Sequence, residues 1–127
     1  MYELSVQNTV QTQQSMRDKM KQGAWDIGGN IVKEDDRYIV KDNTQLKNLV
    51  VSSTDLHPYK STTGHKHEGQ EEVYIFVKGA GTIFLDDVPH YVKSGDTVLI
   101  EDGVHHRVTT GPEGLYFICV FDGRRTI

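Results

Sequence analysis

The feature that most constrains the fold lies downstream of Ile31, where short apolar stretches alternate with clusters of Gly, Pro, Asp and Asn at roughly ten-residue spacing. No helical period appears in this part of the chain. Many short strands without a second helix-rich region predict an antiparallel sandwich or barrel, an all-β fold. The predicted strands are Asn30–Lys33, Arg37–Val40, Leu46–Ser52, Glu72–Val77, Gly81–Leu85, His90–Val92, Thr97–Ile100, His106–Thr109 and Leu115–Phe121.

The first thirty residues differ from the rest. Between Gln7 and Gln22 the chain is rich in Gln, Ser and Thr and has few apolar residues, which predicts a weak amphipathic helix or a loosely ordered arm. We therefore divide the chain into an N-terminal arm, extra strand or helix at residues 1–30 and a barrel at residues 31–127. An arm of this kind could provide an exchanged strand, and we expect a homodimer.

Charge and hydropathy exclude several classes of partner. The 127 residues include 14 Lys and Arg and 18 Asp and Glu, for a net charge of −4 without a basic stripe, so neither nucleic acid nor a membrane is expected as a partner. The apolar runs are far shorter than the roughly 20 residues that span a bilayer, and the start lacks a signal sequence, which predicts a cytoplasmic protein. The single cysteine, Cys119, lies in an apolar run and is predicted to be a reduced core thiol.

A set of histidines and one glutamate carries the predicted chemistry. His65 and His67 are two positions apart, so on an extended segment both imidazoles point to the same side. Glu72 opens the most apolar strand, and His106 follows a tight turn. Imidazole and carboxylate ligands suit a divalent transition metal such as Fe, Mn, Ni, Zn or Co and exclude soft thiolate chemistry.

Two stretches of the chain resemble the motifs of the cupin family. The first is Gly64-His65-Lys66-His67 followed by Glu72 and Gly79, and the second is Gly95 followed by Glu101-Asp102-Gly103 and His106. The segment between the motifs, residues 80–94, is 15 residues long, as in small microbial cupins. The resemblance covers about residues 46–121.

The resemblance implies a double-stranded β-helix barrel, the jelly-roll form, with a metal held by His65, His67, Glu72 and His106. Glu71 competes with Glu72 for the carboxylate position, but the spacing to Gly79 favours Glu72. Three motif positions depart from the family pattern without being ligands. They are Tyr59 in place of Gly, Glu101 in place of Pro and Thr110 in place of Asn.

Other polar side chains are candidates for catalysis or for the cavity wall. Tyr74 and Phe76 alternate onto the face of Glu72 and are expected inside the barrel, while Val73, Ile75 and Val77 are expected to pack on the other side. His105 points away from His106 and is predicted at the surface. The candidate acid and base groups are Glu71, Tyr74 and His90.

Three functions fit such a site. A metal acting as Lewis acid on a small polar metabolite gives a sugar or sugar-phosphate isomerase, an epimerase or a lyase. The isomerase is favoured by one resemblance, since Thr62–His67 with Glu72 resembles the corresponding stretch of archaeal cupin-type glucose-6-phosphate isomerases. The alternatives are an Fe(II)-dependent dioxygenase and a non-catalytic cupin that binds a small molecule.

Overall fold

The secondary structure of residues 26–123, the part that the computed structural model describes, consists of seven strands and no helix. The predicted all-β class is confirmed, whereas the predicted N-terminal helix or arm falls largely on residues 1–25, outside this part. Residues 26–123 accordingly contain no helix that could span a membrane. The strands are β1 Asn30–Glu34, β2 Tyr38–Asn43, β3 Leu49–Leu56, β4 Glu72–Leu85, β5 Val88–Lys93, β6 Thr97–Ile100 and β7 His106–Asp122.

Two long strands organise the barrel. β4 and β7 pair antiparallel along most of their lengths. The first part of β4 also pairs with β6 and its second part with β5, while the second part of β7 pairs with β3, which continues to β2 and β1. Because both long strands change neighbours halfway, they join the two layers of a double-stranded β-helix, as predicted.

The sequence prediction of a break in each long strand is wrong. The stretch around Gly79 was expected to be a turn, but β4 continues through it with irregular pairing between Phe76 and Gly81. Gly79 has a φ of 90°, and a Cβ there would collide with the carbonyl oxygen of Gly114 on β7. Glycine is therefore required by a close approach between the two strands, and not by chain reversal. The bounds of β2 and β3 also lie a few residues later than predicted.

The inner faces of the strands form one core. Tyr74 and Phe76 are buried, as predicted, and the Tyr74 ring stacks on Phe117 with centroids 5.2 Å apart. Val73, Ile75 and Val77 lie on the opposite face, as expected, where Val73 and Val77 are half-buried and Ile75 is 39% exposed. The structure holds one chain, so the homodimer stays a prediction.

Candidate metal centre and its cavity

The backbones of His65 and His106 are paired directly. His65 N–H donates to the His106 carbonyl (3.1 Å), and His106 N–H donates to the His65 carbonyl (2.9 Å). This isolated bridge joins the loop before β4 to the start of β7. Because paired residues in antiparallel strands project to the same face, the two imidazoles lie together, with ring centroids 4.4 Å apart.

Both imidazoles are oriented by the same local contact. His65 Nδ1 lies 3.3 Å from the Thr63 carbonyl oxygen, and His106 Nδ1 lies 3.0 Å from that of Val104. A carbonyl oxygen only accepts, so these contacts are hydrogen bonds when Nδ1 carries the hydrogen, and in the neutral ring Nε2 then presents a lone pair. A hydrogen bond from the second ring nitrogen to a carbonyl is the usual support of a metal-ligating histidine.

Glu72 converges on these histidines from the start of β4. Its Oε2 lies 2.9 Å from His106 Nε2, yet neither buried atom has a hydrogen-bond partner of acceptable geometry. One donor atom each from His65, Glu72 and His106 lies within 4.8 Å of the others. With metal–ligand bonds of about 2.1 Å, two ligands at a right angle are about 3.0 Å apart. The 2.9 Å spacing therefore fits two neighbouring ligands of one divalent cation.

Electrostatics keep the site in its ligating protonation state. Burial, together with repulsion from His106 and His67, lowers the pKa of His65 to about 4. Burial alone would raise the pKa of Glu72, but the contact with His106 and the nearby histidines outweigh it and lower that pKa. At neutral pH the site thus offers a neutral imidazole and a carboxylate, which are the forms that bind metal.

His67, the fourth predicted ligand, lies at the edge of this group. Its ring centroid is 4.8 Å from that of His65 and 6.3 Å from that of His106. Its carbonyl accepts a hydrogen bond from Gly103 N–H (3.0 Å), which ties it to the turn before β7. The structure brings His65, Glu72 and His106 into ligating distance and leaves His67 adjacent to them.

A cavity of about 610 Å³ opens above the metal centre. His106 packs behind it, with a side chain that is 2% exposed. The cavity combines ligands, aromatic walls and a polar rim, an arrangement common in small-molecule sites. Its lining includes His65, His67, Glu72, Tyr38, Tyr74, Phe117, Arg37 and Thr63.

The three predicted acid and base groups end up in different places. Tyr74 lines the cavity, and its ring centroid is 5.6 Å from that of His106. Glu71 and His90 are exposed and are not among the residues that line it. His105 lies away from the metal cluster, its ring so close to Gly64 that a Cβ there would collide with it.

Sequence reasoning missed one wall of the cavity. Arg37 and Tyr38 stand at the start of β2, far from both motifs, and contact the loop that carries His65. The residues offered no local signal, because their role depends on a contact between Arg37 and Thr63, which are 26 positions apart. Cys119 is buried at the same cavity, in agreement with its prediction as a core residue.

Three curated proteins match part of the chain, and two of them are named for an activity or a ligand. The dimethylsulfoniopropionate lyase DddW of Ruegeria pomeroyi is 30% identical over 71 residues, covering 56% of this chain and 46% of that protein. The oxalate-binding protein of Thermotoga maritima is 39% identical over 69 residues, covering 51% of this chain and 54% of that protein. The match thus spans about half the length of each of these two relatives.

Solved structures and a family model agree on the fold. The polyketide cyclase RemF of Streptomyces resistomycificus superposes with a TM-score of 0.69 at 24% identity, over 85% of this chain and 82% of that one. KdgF from Halomonas sp. gives 0.67 at 18% identity, over 76% and 89%. The Cupin domain model matches residues 53–121, a range that contains His65, Glu72 and His106. The chain therefore belongs to the cupin family.

Proposed function

We propose that the protein is a divalent-metal enzyme that acts on a small polar metabolite with the ion as Lewis acid. The observation that carries the proposal is the approach of Glu72 Oε2 and His106 Nε2, which are buried, 2.9 Å apart and without a hydrogen-bond partner in the described part of the chain. Two acceptors that face each other away from water are unfavourable unless a proton or a metal ion lies between them, and the approach of His65 to the same point favours the metal ion. His65, His67, Glu72 and His106 would hold that cation.

The cavity provides space for a substrate beside a bound ion. A divalent ion held there would polarise a carbonyl, hydroxyl or carboxylate oxygen of a substrate. Tyr74 is the acid or base group of the three predicted ones that lines the cavity, so it is our candidate for proton transfer. The Phe117 ring, stacked on Tyr74, holds the phenol in place and makes that wall apolar.

The reaction class that these features favour is a lyase, an isomerase or an epimerase. Each needs an oxygen polarised by a metal and a proton moved nearby, and none needs a redox-active ion. The likeness to DddW supports a lyase, since that relative is named for this reaction. The likeness to glucose-6-phosphate isomerases, and with it a sugar-phosphate substrate, stays a prediction.

A non-catalytic binding protein is the second candidate. The matched oxalate-binding protein is named for binding and not for turnover, and its identity to this chain, 39%, exceeds that of DddW. A metal with a small carboxylate ligand would use the same residues. The two candidates differ in whether any bound compound is converted.

The test is a titration followed by an activity screen. Protein loaded with Mn²⁺, Ni²⁺, Zn²⁺ or Fe²⁺ is titrated with oxalate and then assayed with dimethylsulfoniopropionate, hydroxy acids and sugar phosphates. We expect turnover that disappears in His106→Ala and in Tyr74→Phe, with circular dichroism showing that both variants fold. Oxalate binding without turnover of any compound would favour the binding protein, and failure to bind any metal would contradict both candidates.

A further inference from the structure

We propose that the Tyr38 hydroxyl donates a hydrogen bond to a carboxylate oxygen of the ligand, and that Arg37 is the positioning residue that aims it. The inference rests on the proposed function, because it assumes that the ligand occupies the metal cavity. Both residues line that cavity at the start of β2. The pair would form the second attachment point of a small carboxylate whose other oxygens face the metal.

Arg37 is fixed over Tyr38 by several contacts. Its guanidinium carbon lies 4.5 Å from the centroid of the Tyr38 ring, and its Nη2 donates to Tyr38 Oη (3.0 Å). Nη2 and Nε also donate to the Asp35 carboxylate, at 2.7 and 3.1 Å for Oδ2. Hydrogen bonds from Arg37 lower the pKa of Asp35 to about 2, so this anchor stays ionised at neutral pH.

The orientation of the Tyr38 hydroxyl follows from these contacts. Because Oη accepts from Arg37, the hydroxyl hydrogen must point away from the guanidinium. Tyr38 is 7% exposed, and no acceptor within residues 26–123 takes this hydrogen. A ligand oxygen in the cavity would accept the hydrogen that this hydroxyl presents.

The same arginine connects Tyr38 to the metal centre. Arg37 Nη1 donates to Thr63 Oγ1 (2.7 Å), and the Thr63 carbonyl oxygen lies 3.3 Å from His65 Nδ1. Tyr38, Arg37, Thr63 and His65 therefore form one continuous series of hydrogen bonds from the wall of the cavity to a predicted metal ligand. Arg37 thereby links the position of the Tyr38 hydroxyl to that of His65.

The donors define the chemical class of the ligand. A hydroxyl hydrogen backed by a guanidinium favours an oxygen that carries negative charge, and the metal on the other side favours oxygen as well. A carboxylate has two such oxygens on one carbon, and a small dicarboxylate has four. An amine or another cation would be repelled by the Arg37 guanidinium, whose Nη2 lies 3.0 Å from the Tyr38 hydroxyl oxygen.

The first experiment removes only the hydroxyl. Tyr38→Phe and wild-type protein are loaded with Mn²⁺ and titrated with oxalate by calorimetry. We expect Tyr38→Phe to weaken oxalate binding about tenfold or more, as for a hydrogen bond to a charged group, and to leave the Kd for Mn²⁺ within about twofold. Tyr91→Phe is the matched control, since Tyr91 is 69% exposed on β5 and should change neither constant.

The second experiment tests the positioning role by a double-mutant cycle. Arg37→Met should weaken oxalate binding as Tyr38→Phe does, and the double variant should be no weaker than Arg37→Met alone, because both changes remove one interaction. All titrations are done at saturating Mn²⁺, so that an effect on Thr63 and the metal loop does not enter. Additive losses would overturn the positioning role of Arg37.

The outcomes distinguish a failure of this inference from a failure of the proposed function on which it rests. Wild-type protein that binds no metal contradicts the proposed function. Mn²⁺-loaded wild-type protein that does not bind oxalate overturns the carboxylate assignment. Oxalate binding that is unchanged in Tyr38→Phe overturns the role of Tyr38 and leaves the metal function standing.

Discussion

Two cavities of nearly equal size differ sharply in how their charged groups are satisfied. The metal cavity has a volume of about 610 Å³, and a second cavity, here the outer cleft, has about 630 Å³. The outer cleft lies against Asp26, Lys41, Asp55, Tyr116 and Glu113. In it, Lys41 Nζ lies 3.1 Å from Asp26 Oδ1, and the Asp26 side chain is 71% exposed. Volume alone therefore does not distinguish a binding site from a surface depression.

The two cavities differ in whether their charged side chains have a hydrogen-bond partner or contact with water. An exposed ion pair is solvated and contributes little, so the fold neither gains nor loses much from Asp26 and Lys41. Glu72 and His106 are buried and face each other without a hydrogen-bond partner, which is a standing cost to the described fold. Such a cost at one place in an otherwise well-packed barrel supports the proposal that a ligand completes this site.

The largest expected effect comes from removing one carboxylate in each cavity. Glu72→Gln should weaken binding of Mn²⁺ or Zn²⁺ about 100-fold or more, because it replaces a charged ligand by a neutral amide. Glu113→Gln makes the same chemical change in the outer cleft and should leave the Kd within about twofold. Competition with a chromophoric chelator measures both. An equal change in the metal Kd for the two variants would contradict the claim that only the metal cavity binds the ion.

A smaller effect is expected in the pH dependence of the metal-free protein. The pKa of His65 is about 4 in the folded chain and about 6.5 in the unfolded chain, so the unfolded chain binds more protons between these values. The free energy of unfolding should therefore fall as pH drops from about 6.5 towards 4. Asp26, whose pKa is lowered from 3.8 in the folded chain, begins to titrate only near the lower end of this range.

Urea unfolding of chelator-treated protein at pH 7, 5.5 and 4 measures this dependence. His65→Gln should reduce the change between pH 7 and 5.5, and Asp26→Asn should leave that change as it is in the wild type. A wild-type protein as stable at pH 4 as at pH 7 would mean that His65 is not held neutral by its surroundings.

The smallest effect should come from the ion pair of the outer cleft. Lys41→Met should leave the thermal unfolding midpoint nearly unchanged, since Asp26 remains solvated when its partner is lost. The effect should vanish in high salt. Thermal unfolding at low and high ionic strength checks both statements. A large fall in the unfolding midpoint would show that the ion pair of the outer cleft also contributes to the stability of the fold.

How far the sequence could predict the structure depends on the range of each contact. The short strands after Ile31 are local patterns that predicted the all-β class, and the resemblance to the cupin motifs implied the ligands, of which the structure brings His65, Glu72 and His106 together. The sequence predicted a turn around Gly79, where β4 in fact continues with irregular pairing to β7. Glycine is favoured both in a turn and where two strands approach closely, so the local sequence does not distinguish the two.

Contacts between distant parts of the chain were beyond the sequence. Neither Arg37 nor Tyr38 carries a motif, and their place in the cavity depends on how β2 meets the loop at Thr63. For the same reason, Glu71 and His90 could not be separated from Tyr74 as candidates until the cavity was known, since spacing does not tell which side chains reach it.

The most direct test of the central claim, that buried Glu72 and His106 await a cation, is the metal content of untagged protein purified without chelators. Elemental analysis should find about one divalent transition metal per chain in the wild type, and Glu72→Gln should lose it while Glu113→Gln keeps it. Wild-type protein that holds no metal, even after reconstitution with Mn²⁺, Fe²⁺, Ni²⁺, Co²⁺ and Zn²⁺, would contradict the account.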